Sequence, residues 1–260
     1  MIDSMNHNQQ IIPIPAFKDN YIWLIHNGIQ AVIVDPGDAA PVNDTLQRLN
    51  LNLSAILITH HHHDHIGGVA ELLEKYPKTK VYAPRLEQYA FEHIPVGEAD
   101  TLTLKALNLE FKVIELPGHT LGHVAYYSNN HHLLFCGDTL FGAGCGRLFE
   151  GTAAQMYDSL QKLAALPATT KVYCTHEYTL HNISFALTIE PNNQALIKRF
   201  KHTQKLRDIN TPSLPSTIGL ELATNPFLRS SSSEIQSSIQ LTDACDLEVF
   251  SILRKRRNHY

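Results

Sequence analysis

The sequence predicts an α/β protein, with a sheet-rich first part and a helical tail. Two patterns carry this. Up to about residue 176, short apolar runs of strand length alternate with turn residues and with amphipathic helical stretches. From about residue 177 the strand-like alternation stops and longer helical patterns follow. A third observation locates the chemistry. Residues 60–65 read His-His-His-His-Asp-His, between an apolar strand pattern and a helix.

The chain opens as an antiparallel meander, with strands predicted at 11–14, 21–25 and 31–34. Lys18-Asp19-Asn20 and His26-Asn27-Gly28 supply the turns between them. Asp35-Pro36-Gly37 ends the third strand, and a helix is predicted over 41–49. Ala55-Ile56-Leu57-Ile58 is the strand that delivers the histidine-rich run. Val69, Leu72, Leu73 and Tyr76 share one face of the helix that leaves it, and Gly67-Gly68 is read as a tight turn into that helix. A short strand follows at 81–83, then a mixed segment over 84–100 in which Pro84, Pro95 and Gly97 limit any helix. Leu109, Phe111 and Val113 alternate with Glu110 and Lys112, as a half-buried strand requires. Residues 124–127 and 132–136 form a hairpin around Asn129-Asn130. Thr152 and Gln155 form a capping box for a helix that buries Met156, Leu160 and Leu163. Residues 171–174 are read as the last strand. Helices are predicted at 178–189, 192–209, 232–240 and 242–256, with a proline- and serine-broken loop around Pro212, Pro215, Pro226 and Ser230. The domain division is 1–176 and 177–260.

Composition excludes several classes. The chain has 260 residues, 43% of them hydrophobic, enough for a large core. Its net charge of −4 argues against a nucleic-acid partner, with Arg254-Lys255-Arg256-Arg257 a local exception. The four cysteines show no paired spacing and read as reduced thiols of a cytoplasmic protein. Met1-Ile2-Asp3-Ser4 has no basic start followed by an apolar run, so no signal peptide is expected. No apolar stretch approaches the roughly 20 residues of a membrane helix. We expect no membrane association, and a monomer.

The histidine-rich run reads as a metal site. His60 and His62 are two apart, so in an extended loop their side chains point the same way and can share one ion. Asp64 and His65 follow after the turn begins and can face a second ion, while His61 and His63 point away. Imidazole and carboxylate suit zinc, iron or manganese. His119, Asp138 and His176 each follow an apolar strand directly, as His60 does, so they converge if the strands end along one edge. The sum gives His60, His62 and His119 to one ion, Asp64, His65 and His176 to the other, and Asp138 between them. Two divalent ions against two carboxylates and a hydroxide leave positive charge, which stabilises an oxyanion.

The Thr-His-x-His-x-Asp-His run with Gly118-His119, Asp138 and His176 resembles the metallo-β-lactamase superfamily. Longer motifs resemble one branch of it, glyoxalase II, the hydroxyacylglutathione hydrolases. These are residues 14–17, 19–23, 137–141, 143–147, 175–178 and, in the tail, 225–229. The resemblance implies an αββα sandwich with metals at one edge of the two sheets, followed by a helical substrate-binding domain. It implies hydrolysis of the thioester S-D-lactoylglutathione to D-lactate and glutathione by a metal-bridging hydroxide, the second step of methylglyoxal detoxification. Asp64 and Asp138 are then the catalytic carboxylates and two divalent ions, zinc first, the cofactors. Arg147, Tyr178, Arg254 and Arg257 are the implied glutathione-binding residues. Arg147 and Arg257 stand where the animal pattern has lysine, and Phe149 where it has tyrosine, so a hydrogen-bond donor is lost there. A persulfide dioxygenase or another hydrolase of the same superfamily is the alternative reading.

Overall fold

The computed structural model describes residues 9–241 and 243–260. The reading of Met1 to Ser4, and the start of the last helix at Thr242, lie outside the described residues.

Two mixed six-stranded sheets face each other. The first holds β1 (Gln10–Ala16), β2 (Asn20–His26), β3 (Gln30–Val34), β4 (Asn52–Leu57), β5 (Lys80–Pro84) and β6 (Ile94–Val96), in sequence order. Pairing is antiparallel through β1, β2 and β3 and parallel from β3 onward. Parallel pairing needs crossovers, and α1 (Ala39–Arg48), α2 (His63–Ile66) and α3 (Val69–Lys75) lie in them. The second sheet uses β7 (Thr101–Leu104), β8 (Leu109–Glu115), β9 (Val124–Ser128), β10 (Leu133–Gly137), β13 (Lys171–Cys174) and β14 (Ser216–Thr217). Its order is β14-β13-β10-β9-β8-β7. The small ribbon β11 (Leu140–Phe141) and β12 (Gly144–Cys145) stands between β10 and α4 (Ala153–Ala164).

Side-chain alternation explains the layering. On β2, Tyr21, Trp23 and Ile25 enter the core between the sheets. Ile22 and Leu24 point the other way, against Val42 and Leu46 of α1 and Val69 and Leu72 of α3. Trp23, Phe111, Tyr126 and Phe135 are among the largest enclosed side chains. Each such burial stabilises by about 1.5–3 kcal/mol relative to exposure. The half-buried pattern of β8 is present, with Glu110 and Lys112 exposed. The capping box on α4 also forms, with the Gln155 amide N–H donating to Thr152 Oγ1.

The tail forms α5 (Thr179–Ile189), α6 (Gln194–Asp208), α7 (Ile218–Thr224), α8 (Ser233–Ser238) and α9 (Asp246–Arg257). Two readings are corrected here. Residues 171–174 are not the last strand, because Ser216–Thr217 adds an antiparallel edge to β13. The proline-broken loop contains α7, capped by Thr217 Oγ1 on the Leu220 amide. In the mixed segment 84–100 no helix forms and Ile94–Val96 is the short edge strand β6, a position that tolerates Pro95.

A buried polar network docks the tail onto the ribbon. Glu221 is fully enclosed and accepts from Arg199 at 2.6 Å, from the Ala143 amide at 2.8 Å and from Ser216 Oγ. Asn225 Nδ2 donates to the Gly144 carbonyl at 2.9 Å. A buried charge needs such partners to be tolerated.

Candidate metal centre

The strands β4, β8, β10 and β13 all stop at one edge of the two sheets, followed by the His60 run, His119, Asp138 and His176. The sheets are stitched together there. The Val124 amide donates to the Thr59 carbonyl at 2.9 Å, and the Tyr21 amide to the Thr175 carbonyl at 2.6 Å. Trp23 Nε1 donates to the Cys174 carbonyl at 3.0 Å. This edge is therefore a rigid frame.

All seven sequence-predicted ligands converge on it. His60, His62 and His119 form one cluster, Asp64, His65 and His176 another, and His60, His65 and Asp138 a third that overlaps both. His62 Nδ1 lies 3.0 Å from His60 Nε2 and 3.0 Å from His119 Nε2. Asp138 Oδ2 is 3.4 Å from His119 Nε2 and 3.4 Å from His176 Nε2, so one carboxylate oxygen sits between the two clusters. Asp64 Oδ2 lies 3.5 Å from His176 Nε2 and accepts from Asn20 Nδ2 at 3.0 Å. His62 is extended and caps the single turn α2, which turns Asp64 and His65 toward the second cluster.

The donor set fits a metal. His65 Nε2 and Asp138 Oδ1 are buried with no hydrogen-bond partner. Buried polar atoms are rarely left so, and convergent imidazole and carboxylate atoms are what a divalent ion would satisfy. The opposite ring nitrogens are held by protein partners. His65 Nδ1 meets Asp35 at 3.0 Å, His176 Nδ1 meets Asp19 at 2.8 Å, His119 Nδ1 meets the Arg147 carbonyl at 2.7 Å, and His60 Nδ1 meets Thr59 Oγ1 at 3.1 Å. Such partners fix ring orientation and tautomer.

Electrostatics without an ion are those of a crowded buried cluster. Burial pushes His60 well below its ordinary value, with His65 and His123 adding to the effect. Burial also opposes charge on His176, but Asp138 and Asp19 overcome it and raise its pKa to about 9. His65 is likewise raised, because Asp138 and Asp35 outweigh burial. Burial works against the Asp138 carboxylate, and His176 and His65 pull it well below the carboxylate range.

Asp35, Asp19, Asn20 and His123 were not read as site residues. Asp35 carries the same mark as Asp138, since it directly follows an apolar strand. His61 and His63 belong to none of the clusters. The His61 ring lies between Glu87 and Glu150, at 3.2 and 3.4 Å. Gly67 and Gly68 have ordinary helical dihedrals, so the turn does not require their conformational freedom. They are needed for close approach. A Cβ on Gly68 would lie 2.5 Å from the Ala39 nitrogen, and one on Gly67 2.6 Å from the Gly37 oxygen.

The four residues assigned to glutathione differ in setting. Tyr178 stacks on His176, with ring centroids 4.7 Å apart. Arg147 is exposed. Arg254 is buried; its Nη1 donates to the Cys145 carbonyl at 2.7 Å, and its Nε has no partner. Arg257 Nη2 donates to Asn182 Oδ1 at 3.0 Å. Burial lowers the Arg257 pKa, and the neighbouring charges of Arg254 and Arg147 lower it further, which marks a cationic cluster. Phe149 is exposed and turns its ring edge-on to His62 and His119, at 5.5 and 5.2 Å.

The metallo-beta-lactamase superfamily model matches residues 17–176, and the hydroxyacylglutathione hydrolase C-terminus model matches residues 177–260. A hydroxyacylglutathione hydrolase of Methylobacillus flagellatus is 53% identical over 96% of this chain and 99% of its own. Among solved structures, the BLEG-1 B3 metallo-beta-lactamase is 26% identical, with a TM-score of 0.63 over 85% of this chain and 99% of its own. TTHA1623, solved in a di-iron-bound form, is 27% identical, with a TM-score of 0.62 over 84% of this chain and 100% of its own.

Proposed function

Because the chain belongs to the hydroxyacylglutathione hydrolases of the metallo-beta-lactamase superfamily, we propose that it hydrolyses S-D-lactoylglutathione and related S-2-hydroxyacylglutathiones to the hydroxy acid and glutathione. The observation that carries this reading is the pairing of two features: convergent imidazole and carboxylate clusters, and a tail whose last helix brings Arg254 and Arg257 against the ribbon that precedes Arg147. The first suits ester-type hydrolysis, and the second suits a ligand with two carboxylates.

In this reading residues 1–176 are the catalytic domain and residues 177–260 the substrate-binding domain. His60, His62 and His119 would hold one divalent ion and Asp64, His65 and His176 the other, with Asp138 shared between the two clusters. Zinc is the first choice, with iron or manganese as alternatives; the di-iron state of TTHA1623 supports two ions. When bound, the ions supply Lewis acidity toward the thioester carbonyl and lower the pKa of water toward neutrality. The chain supplies the rest. Asp35 and Asp19 hold His65 and His176 in the tautomer that leaves Nε2 free. Asn20 fixes the Asp64 oxygen that faces His176. Arg147, Tyr178, Arg254 and Arg257 recognise glutathione.

None of the three buried thiols is suited to serve as nucleophile. Burial pushes Cys136 up to about 12 and raises Cys174 and Cys145. No described helix is long and apolar enough to cross a membrane. We place the enzyme in the cytoplasm as a monomer acting on a small thioester, without a nucleic-acid or membrane partner. Removal of metal by a chelator should abolish thioester hydrolysis, and restored metal should return it. A fully metal-loaded protein with no thioesterase activity would refute the proposal.

A further inference from the structure

His123 is fully buried inside the histidine cluster, yet it belongs to none of the ligand groups. Its ring stacks on that of His60, with centroids 4.9 Å apart and planes 26° apart. The reason it is not a ligand lies in its hydrogen bonds. The backbone amide of Asp138 donates to His123 Nε2 at 3.1 Å. A ring nitrogen that accepts an amide proton carries no proton of its own and has no lone pair left for an ion. The proton is therefore on Nδ1, which faces Thr139 Oγ1 at 3.3 Å.

The backbone around this contact is tightly constrained. The chain leaves β10 through Gly137 in the left-handed region, at φ +47°. A Cβ at Gly137 would lie 2.3 Å from Thr59 Oγ1 and 2.7 Å from His123 Nε2. The Asp138 amide is thus pressed onto the imidazole, with no side chain between them. On the opposite side the His123 carbonyl accepts from the Leu116 amide at 2.8 Å, and the next amide, that of Val124, donates to the Thr59 carbonyl at 2.9 Å. His123 is anchored to both sheets and holds the residue whose carboxylate lies between the clusters.

We propose that His123 is a positioning residue for Asp138: its neutral ring, protonated on Nδ1, fixes the Asp138 backbone so that the carboxylate spans the two ligand clusters. This rests on the bridging role given to Asp138 above. His123→Phe keeps the ring volume but leaves the Asp138 amide without an acceptor. His123→Gln restores an acceptor where Nε2 stands. Partners that support ligands from behind typically change metal affinity by roughly 10–100-fold.

The test titrates metal into the metal-stripped full-length protein against a competing chelator, and reads magnetic coupling between two manganese ions. His123→Phe should weaken the second ion by roughly 10–100-fold and lose the coupling signal. His123→Gln should regain most of both. In the thioesterase assay the Phe variant should lose kcat with KM little changed. If His123→Phe does not fold, His123→Asn replaces it: its shorter acceptor does not reach the amide, so Asn should fail where Gln succeeds. A Phe or Asn variant that binds and couples both ions like wild type would overturn the proposal. So would a Gln variant as defective as Phe. Wild type that holds one ion only removes the bridge, and the proposal with it. Wild type that couples two ions but leaves the thioester intact refutes the thioesterase reading and leaves His123 in its role.

Discussion

His65 Nδ1 lies 3.0 Å from Oδ2 of Asp35, a residue that comes thirty positions earlier in the chain. The same Asp35 oxygen accepts from Thr59 Oγ1 at 2.7 Å, and its partner oxygen accepts from the Thr59 amide at 2.8 Å. Thr59 in turn meets His60 Nδ1 at 3.1 Å. One buried carboxylate therefore orients a candidate ligand in each cluster, His65 directly and His60 through Thr59. Asp35→Ala should weaken metal binding by roughly 10–100-fold, measured by chelator competition, with KM for the thioester little changed. Unchanged metal affinity would show that the frame does not need it.

The stability of the metal-free protein should depend on pH in a way that metal removes. His176 titrates at about 9 in the fold, against an ordinary 6.5, so the proton it holds stabilises the folded state. That contribution is fully present below about 6.5 and is lost as pH rises through about 9. Asp138 is depressed, so its contribution is already complete across this window. On the acid side, His60, His119 and His123 are pulled down and resist protonation, so stability should fall again below their ordinary value of 6.5. The melting temperature of chelated protein should therefore pass through a maximum above 6.5 and decline as pH rises through about 9, while that of loaded protein does not decline. A rise through about 9 would contradict the assignment.

Arg254 and Arg257 should separate in mutagenesis. Arg254 is buried and tied to the Cys145 and Gly146 carbonyls, so Arg254→Ala should raise KM and also lower stability by about 1–3 kcal/mol. Arg257 is half-buried beside Asn182, and Arg257→Ala should raise KM with a smaller loss of melting temperature. Steady-state kinetics on the glutathione thioester, beside thermal melts, decide this. Unchanged KM in both would remove the glutathione role.

Thiol labelling of the native protein should modify Cys245 alone. Cys136, Cys145 and Cys174 are buried and Cys245 is exposed. Labelling at Cys245 should leave thioesterase activity intact; rapid loss of activity from labelling at Cys145 would reopen a role for a thiol.

The parts of this protein legible in the sequence are those whose signal is local. His60, His62, Asp64 and His65 share one run, and His119, Asp138 and His176 each follow an apolar strand. Their convergence needed only the rule that strands end along an edge. Asp35 follows a strand just as directly, but its oxygens face ring nitrogens from behind, and nothing local separates that from a turn former. His123 resembles a ligand in type and burial; only the Asp138 amide, fifteen residues away, excludes it. The strand at Ser216–Thr217 has two residues and exists through pairing with β13, which no periodicity reveals. Phe149, where the sequence shows only a lost hydrogen-bond donor, also sets its ring edge-on to His62 and His119.

The most direct test mixes metal-analysed protein with S-D-lactoylglutathione and follows loss of the thioester absorbance, with Asp138→Ala alongside. Turnover with about two ions per chain, abolished in the variant, is the predicted result. No turnover at full metal loading would contradict the thioesterase assignment, and full turnover with a single ion would contradict the bridging role of Asp138.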